Sequence, residues 1–344
     1  MFDNASKTNL DSIGENTLIE RLTSTNIIKN TATIVGIGDD AAVVKPSAKK
    51  LQVISSDLLV ENVHFDLMYT PLKHLGYKAV VVAISDIIAM NATPNFITVS
   101  VAISSKYTLE AMEELYAGIY LACDKFQVDL IGGDTSTIAK GMVISLTALG
   151  EVEETKLLTR KGCKPGDLLC VTGDLGGAYM GHQLMEREKR VFLASPEMQP
   201  DLEGFDYIVG RQLKPEARKD ITALLESLDI LPTAMIDISK GLASEVKHLA
   251  KASNVGFSIY EEKLPVDPQT IQMAQEFNLD ATMCALNGGE DYELLFTISP
   301  ADYEKIKHQM DISIIGHATE EPNNCKLITP SGNMFDIKAQ GWEK

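Results

Sequence analysis

Residues 79–90, Ala-Val-Val-Val-Ala-Ile-Ser-Asp-Ile-Ile-Ala-Met, predict a helix that is apolar on nearly every face. A helix of this kind is stable only when other elements cover it on all sides. Asp86 lies in its middle, and a buried carboxylate needs a partner, for which a metal ion and a hydrogen-bond network are the two candidates. The segment therefore predicts a buried central element and marks Asp86 as a candidate functional residue.

Acidic residues beside glycine or serine recur at the ends of other apolar segments. They lie in residues 36–43 (Gly-Ile-Gly-Asp-Asp-Ala-Ala-Val), Ser55-Ser56-Asp57, Gly132-Gly133-Asp134, Asp237-Ile-Ser239 and Gly288-Gly289-Glu290-Asp291. One such segment is weak evidence, because a glycine turn also accounts for it. Short carboxylates of this kind suit the octahedral coordination of Mg²⁺. If the aspartates converge, their charges repel strongly unless divalent cations lie between them.

The net charge of -17 argues against nucleic-acid binding, which needs a basic face to neutralise phosphates. No apolar stretch reaches the length of a membrane span, because Asp86 interrupts the longest one. The first residues lack a signal-peptide pattern. The five cysteines are widely spaced and form no Cys-x-x-Cys pair. We therefore expect a cytoplasmic protein without structural zinc, and neither a nucleic acid nor a membrane as a partner.

The length of 344 residues favours two domains. Strands at 96–103, 128–131 and 142–152 and a helix at 109–126 predict a first domain over residues 1–155. A basic, turn-rich segment at 156–165 is the natural boundary. Residues 156–344 then alternate strand and helix, end in a hairpin at 326–342, and predict a second α/β domain.

Common phosphate-binding and hydrolytic motifs are absent from the sequence. There is no G-x-x-x-x-G-K-[ST] loop, no protein-kinase motif set, no G-x-S-x-G elbow and no H-E-x-x-H. The glycine pairs at 132–133 and 288–289 allow a ligand to approach the backbone, although tight turns explain them as well. Residues 237–242 predict a strand that turns into a helix, whose N-terminus attracts phosphate.

Two basic side chains, His64 and Arg160, are further candidates for contact with a ligand. His64 directly follows the strand that carries Asp57, and a ligand contact and a loop contact explain it equally well. Arg160 is either a phosphate clamp or an exposed linker residue.

Together these segments resemble the thiamine-monophosphate kinases, a family of the aminoimidazole-ribonucleotide synthetase superfamily, over nearly the whole chain. The matching segments are Gly36-Ile-Gly-Asp-Asp-Ala-Ala42, Ser55-Ser-Asp-Leu58, Asn62-Val-His-Phe65, Ala83-Ile-Ser-Asp-Ile-Ile-Ala-Met90, Leu130-Ile-Gly-Gly-Asp-Thr135, Leu158-Thr-Arg160, Val171-Thr-Gly-Asp-Leu-Gly176, Asp237-Ile-Ser239 and Gly288-Gly-Glu-Asp-Tyr-Glu-Leu294. Each piece is modest, but their order and spacing are specific.

The resemblance implies ATP-dependent phosphorylation of thiamine monophosphate to thiamine diphosphate, the last step of thiamine diphosphate biosynthesis, by direct in-line transfer between Mg-bridged phosphates. It implies a two-domain fold of mixed α/β (α+β) type like that of aminoimidazole-ribonucleotide synthetase, and a homodimer joined through the N-terminal sheet. By the family pattern, several Mg²⁺ ions are held by Asp40, Ser55, Ser56, Asp57, Asp86, Asp134 and Asp237. ATP is contacted by Tyr116, Gly133, Asp134, Arg160 and Ser239, and thiamine monophosphate by His64, Glu290 and Trp342.

Two positions depart from the family pattern. Lys240 stands where relatives have a second aspartate that helps to bind one Mg²⁺, so that metal site is in doubt. Three explanations remain: the Lys240 ammonium replaces the ion against phosphate, the change cripples activity, or the lysine points to solvent. The ending Gly341-Trp342-Glu343-Lys344 is shorter than the usual aromatic tail, which weakens the role of Trp342.

Other activities are open as alternatives. A selenophosphate synthetase fits less well, since those enzymes carry a reactive cysteine or selenocysteine near the N-terminus and the first cysteine here is Cys123. An aminoimidazole-ribonucleotide synthetase also fits less well, since it favours Gly-Gly-Glu where this chain has Gly132-Gly133-Asp134 and it lacks the stretch at residues 62–65. A catalytically impaired relative that binds ATP and metal is the remaining alternative, and only Lys240 supports it.

Overall fold

The structure is a computed structural model, and it describes residue 8, residues 15–37 and residues 42–339. The chain divides into two compact units. The described residues up to Ile87 form the first unit together with Ala92–Glu154, and Ile88–Asn91 belong to the second unit with the residues from Thr155 onward.

The first unit is built around a four-stranded sheet. Its elements are α1 (Glu15–Thr23), β1 (Thr33–Val35), β2 (Val43–Val44), β3 (Lys50–Val60), α2 (Leu72–Ala89), β4 (Thr93–Ser104), α3 (Leu109–Phe126), β5 (Asp129–Ile138) and β6 (Met142–Glu153). The strand order is β3-β6-β4-β5, and β1 pairs with β2 separately. β6 is antiparallel to β3 and β4, whereas β5 is parallel to β4.

The apolar helix expected at residues 79–90 is confirmed as part of α2, and most of its side chains are buried. Two glycines allow α2 to pack closely on α3. A Cβ atom at Gly76 would overlap the carbonyl oxygen of Leu115, and one at Gly118 would overlap that of Lys73. Because backbone atoms cannot move aside as side chains do, the two helices meet at this distance only with glycine at both positions.

The two faces of β3 differ in their surroundings. Ser55 and Asp57 alternate with Ile54, Ser56 and Leu58, so the two sets lie on opposite faces of the sheet. Ser55 contacts α2, while Ile54 is 64% and Leu58 is 55% exposed on the other face. We call this second face the open face of the sheet.

The second unit is built around a seven-stranded sheet. Its elements are β7 (Leu168–Thr172), α4 (Gly177–Ala194), α5 (Asp206–Leu213), α6 (Lys219–Ser227), β8 (Ala234–Asp237), α7 (Leu242–Ser253), β9 (Gly256–Tyr260), α8 (Pro268–Glu276), α9 (Ala281–Asn287), β10 (Leu294–Ile298), α10 (Tyr303–Ile306), β11 (Ile312–Thr319), β12 (Cys325–Ile328) and β13 (Met334–Asp336). The strand order is β13-β12-β9-β11-β7-β10-β8. Both β8 and β10 are buried along their whole length.

The expected α/β fold with mixed sheets is confirmed, but one strand runs further than the sequence predicts. The strand expected at 128–131 continues as β5 through Gly132, Gly133 and Asp134 to Ile138. Gly133 pairs with Val99, and a Cβ atom there would overlap the Val99 carbonyl oxygen. The glycine pair is therefore part of a parallel strand pair and not a tight turn. All five cysteines are buried free thiols, and no helix in the described ranges has the length and apolarity to cross a membrane.

Candidate active site

Two aspartates of the first unit form an acidic pair. Ser55 Oγ donates a hydrogen bond of 2.5 Å to Asp86 Oδ2, which joins β3 to α2. Asp57 lies on the same face of β3, and its Oδ2 atom is buried without a hydrogen-bond partner. Burial, and then the charge of Asp86, raise the pKa of Asp57 to about 6. Both causes disfavour the charged carboxylate, so the site favours a positive partner for Asp57.

The residues of this pair suit a magnesium ion. An orphaned carboxylate oxygen beside a second carboxylate is an arrangement that a divalent cation neutralises, and Mg²⁺ prefers oxygen ligands. No group of three or more His, Cys, Asp or Glu within the described ranges is placed to hold a metal. Mg²⁺ in proteins usually keeps several waters and is bound by one or two carboxylates plus substrate phosphates. A site with two carboxylates is therefore sufficient for Mg²⁺.

The other predicted metal ligands are placed as follows. Ser56 lies on the open face, where its hydroxyl contacts the carbonyl oxygen of Leu146 and the hydroxyl of Thr147, each at 3.2 Å. The strand therefore separates Ser56 from Ser55 and Asp57. Asp40 lies outside the described residues. Asp134 lies on β5 and Asp237 on β8, and the role of each as a ligand stays a prediction.

Three of the residues predicted to contact ATP line one pocket of the first unit. Tyr116 on α3 lies beside Gly133 and Asp134, and apolar residues of α1 such as Leu22 close the pocket. Burial raises the pKa of Tyr116 to about 12, against a hydrogen bond with Thr135 that acts in the opposite direction. The pocket thus combines an apolar wall with a neutral hydroxyl and a glycine backbone, features that suit a nucleoside.

His64 occupies an exposed loop at the end of β3. Its Nδ1 atom accepts a hydrogen bond of 3.0 Å from the backbone N–H of Val60. Because Nδ1 is the acceptor, the proton of the neutral ring is on Nε2. Nδ1 of His64 thus holds the loop to Val60, and Nε2–H is left as a donor that suits a ligand.

Four candidates of the second unit lie at one end of β8 and β10. Asp237 pairs with Leu294 across the two strands. The backbone N–H of Glu290 donates to the carbonyl oxygen of Ser239 at 2.8 Å. The N–H of Lys240 donates to Glu245 Oε1 at 3.2 Å, and its side chain is exposed. Loop 288–290 therefore packs on the turn that starts α7.

Arg160 and Lys240 both influence His248 on α7. Burial lowers the pKa of His248, and the charges of Arg160, Lys240 and Lys251 lower it further. Arg160 itself is exposed, and its carbonyl oxygen accepts a hydrogen bond from Ser253 at the end of α7. Three basic side chains therefore lie close enough to His248 to disfavour its charged form. Trp342 lies outside the described residues.

Sequence reasoning missed a group of charges in the second unit, in which two buried carboxylates meet partly buried partners. We call it the arginine–carboxylate cluster, and it consists of Asp174, Arg211, Arg218, Asp291 and Glu293. Arg211 Nη1 lies 2.9 Å from Glu293 Oε1, and Arg218 Nη1 lies 2.6 Å from Glu293 Oε2. A usable signal was present in the sequence, because Asp291 and Glu293 directly precede an apolar strand and must find partners on burial.

Comparison with known proteins identifies the class. Residues 38–152 match the family model "AIR synthase related protein, N-terminal domain", and residues 164–324 match the model of the C-terminal domain. Hydrogenase maturation protein HypE in complex with ATP has the same fold, with a TM-score of 0.73 at 18% identity over 96% of each chain. The protein is a two-domain AIR synthase related protein.

Relatives of higher sequence identity show which family within this class the chain belongs to. Thiamine-monophosphate kinase of Bacillus subtilis is 32% identical over 92% of this chain and 94% of its own length, and that of Aquifex aeolicus is 32% identical over 94% and 98%. The structure of AaThiL complexed with AMPPCP and TMP aligns with a TM-score of 0.73 at 29% identity, over 97% of this chain and 98% of that chain. The chain belongs to the thiamine-monophosphate kinase family and is a kinase.

Proposed function

We propose that this protein transfers the terminal phosphoryl group of ATP directly to thiamine monophosphate and so forms thiamine diphosphate. The relatives of similar length and the AaThiL complex with AMPPCP and TMP support the substrates. The observation that carries the proposal in this chain is the Asp57–Asp86 pair, with its orphaned carboxylate oxygen. Such a pair calls for a divalent cation, and phosphoryl transfer uses one.

The acceptor needs no general base. A phosphate monoester is already largely ionised near neutral pH, so its oxygen is a competent nucleophile. The task of the protein is to hold two anionic groups in line, by positioning and by neutralising charge. Bound Mg²⁺ supplies that neutralisation, and we propose Asp57, Asp86 and Ser55 as its ligands, with Asp40, Asp134 and Asp237 as further candidates. Ser56 lies on the opposite face of β3 and would serve only a separate ion.

The remaining candidates bind the two substrates. We assign the pocket of Tyr116, Gly133 and Asp134 to ATP, since it offers an apolar wall and backbone amides. Arg160 and Ser239 are assigned to its phosphates. His64, Glu290 and Trp342 are assigned to thiamine monophosphate.

Lys240 has a separate proposed role. Its side chain is exposed at the turn before α7, and its charge helps to lower the pKa of His248 on that helix. We propose that its ammonium takes the place of one metal ion against a substrate phosphate.

We also propose a homodimer formed through the open face of the four-stranded sheet. Ile54 and Leu58 expose much of their apolar surface there, and a patch of this kind on a folded sheet is typical of a contact with another chain. The buried free thiols support a reducing compartment such as the cytoplasm.

The decisive experiment is a coupled assay of the full chain with ATP, thiamine monophosphate and Mg²⁺. We expect formation of ADP and thiamine diphosphate in equal amounts, and no turnover when EDTA removes the metal. ATP binding by calorimetry without turnover would instead favour the impaired relative. Turnover only with aminoimidazole-ribonucleotide precursors or with selenide would favour one of the two synthetases.

A further inference from the structure

Two sequence segments with no assigned role meet in the second unit. Residues 172–177 form the turn from β7 into α4, and residues 291–293 lead into β10. The carboxylate of Asp291 accepts the N–H of Gly176 at 3.0 Å and that of Ala178 at 3.5 Å. The hydroxyl of Thr172 donates to Glu293 at 2.5 Å. Residues 172–178 therefore supply hydrogen-bond donors for the carboxylates of Asp291 and Glu293.

Two arginines, Arg211 and Arg218, are further partners of these carboxylates. Arg211 Nη2 lies 3.7 Å from Asp291 Oδ1 and also donates to the Asp291 carbonyl oxygen at 3.5 Å. Arg211 and Arg218 both bind Glu293. Asp291 is 0% and Glu293 is 2% exposed. Buried carboxylates held by arginines and backbone amides have little freedom to move. The backbone at 291 and 293 is thus fixed at two points.

The backbone between and before these points is conformationally demanding. Gly289, Glu290 and Tyr292 have φ angles of 73°, 63° and 53°. Left-handed conformations are unfavourable for residues with a Cβ atom, so Glu290 and Tyr292 keep them only when their surroundings impose them. Hydrogen bonds from Glu290 N–H to Ser239 and from Tyr292 N–H to Ile238 contribute, at 2.8 and 2.9 Å.

The side chains of Glu290 and Asp291 point in different directions, and this determines where the Glu290 carboxylate lies. Asp291 and Glu293 point into the arginine–carboxylate cluster, whereas the Glu290 carboxylate lies outside it and accepts a hydrogen bond of 3.3 Å from the Tyr292 hydroxyl. A relaxed backbone at residue 290 would turn that carboxylate elsewhere. The position of Glu290 is therefore set by its neighbour.

We propose that Asp291, held by Arg211 and by the start of α4, is a positioning residue that presents Glu290 to the acceptor substrate. This inference rests on the proposed function, because it takes Glu290 as a contact for thiamine monophosphate. It assigns the cluster a role in acceptor affinity. ATP affinity depends mainly on other residues, three of which line the pocket of the first unit.

The test compares Asp291→Asn with Asp220→Asn in the full-length enzyme. Asp220 is also paired with an arginine, Arg218, at 2.9 Å, but its side chain is 60% exposed. For Asp291→Asn we expect KM for thiamine monophosphate to rise about tenfold or more, as loss of a supporting contact does, while KM for ATP and kcat change less than about threefold. Asp220→Asn should leave all three near wild type.

A second readout does not depend on turnover. Amide hydrogen exchange of residues 286–294 should become faster in Asp291→Asn and stay unchanged in Asp220→Asn. If Asp291→Asn does not fold, Asp291→Asn combined with Arg211→Gln removes both members of the ion pair and undergoes the same measurements.

The outcomes separate the two claims. A wild-type enzyme that does not turn over thiamine monophosphate contradicts the proposed function. A wild-type enzyme that does, with an unchanged acceptor KM in the Asp291 variant or an equal rise in both KM values, overturns the positioning role alone.

Discussion

In the proposed mechanism individual carboxylates carry most of the chemistry, and Asp57 shows why. Its buried oxygen has no partner and Asp86 lies nearby, so the folded protein holds two negative charges at a cost to its own stability. A cation removes that cost, and a neutral side chain removes it as well. Stability and activity should therefore respond to the same substitution in opposite directions.

The first prediction concerns this opposition. Asp57→Asn should lower kcat by about 100-fold or more, because charge neutralisation at the transferring group is lost. The melting temperature without Mg²⁺ should stay the same or rise. The coupled assay and thermal melts in EDTA measure the two effects. Asp124→Asn, at an exposed aspartate of α3, serves as the control. A large loss of stability in Asp57→Asn would contradict the acidic-pair interpretation.

Lys240 allows a second prediction at a single residue. Restoring the acid with Lys240→Asp should raise the Mg²⁺ concentration needed for half-maximal rate, because an ion must now fill the place of the ammonium. The rate is measured against Mg²⁺ at saturating ATP. A large gain in rate at unchanged Mg²⁺ dependence would contradict the proposed substitution.

Asp291 makes stability depend on pH. Burial raises its pKa to about 7, although Arg211 and the N–H of Gly176 act in the opposite direction. In the unfolded chain an aspartate has a pKa of about 4, so between about pH 4 and 7 the folded state binds the extra proton. This contribution to the free energy of unfolding is therefore present at low pH and lost as the pH rises towards 7.

The third prediction follows from that sign. The free energy of unfolding of wild type minus that of Asp291→Asn should fall between about pH 5 and pH 8. Urea titrations at both values measure it, and the titration of Asp57 cancels because both proteins contain it. Parallel pH profiles for the two proteins would show that Asp291 stays ionised throughout.

At the scale of elements, the crossing of α2 and α3 offers a sharp test. Gly76→Ala should destabilise the protein by about 3 kcal/mol, because the new methyl group overlaps the backbone of α3. Gly210 is the matched control, since it lies in helix α5 and a methyl group added there would meet no atom within 4 Å. Gly210→Ala should be neutral or stabilise by up to about 1 kcal/mol. Equal effects in denaturant titrations would mean that the helices can separate.

Sequence periodicity predicted elements with strong local patterns and missed those that depend on distant pairing. The apolar run at 79–90 and the amphipathic pattern at 109–126 gave helices α2 and α3, and the expected terminal hairpin is confirmed as β12 and β13. The length of β5 was wrong, because pairing with β4 extends it through two glycines. The short helix α9 was also missed, since seven residues carry too little periodicity.

The same distinction applies to the candidate site. Ser55, Asp57 and Asp86 could be selected because each lies in a segment that is otherwise apolar. In the arginine–carboxylate cluster the acids Asp291 and Glu293 could have been selected on the same ground. Their partners could not, because Arg211 and Glu293 are 82 residues apart and the helix that carries Arg211 has no apolar run to mark it. The order of strands in the sheet determines which buried acid pairs with which arginine. Local sequence patterns do not predict strand order.

For the whole molecule, the open face of the four-stranded sheet is the feature to test. Ile54→Glu together with Leu58→Glu should convert the proposed homodimer to a monomer, because two charges would be buried in an apolar contact. Light scattering after gel filtration gives the mass. Leu193→Glu, at a 59% exposed residue of the second unit, is the control and should leave the mass unchanged. A wild-type chain that is monomeric at all concentrations would contradict the proposal.

The assignment of Ile88–Asn91 to the second unit has a consequence for synthesis on the ribosome. The carbonyl oxygen of Met90 accepts the N–H of Leu158, and the Asn91 side chain donates to the carbonyl oxygen of Lys156. Translation delivers the partners of these residues only after the strands of the first unit have emerged. The residues that directly follow α2 therefore gain these contacts only when later residues have emerged, and a nascent chain stalled at Glu154 would lack both hydrogen bonds.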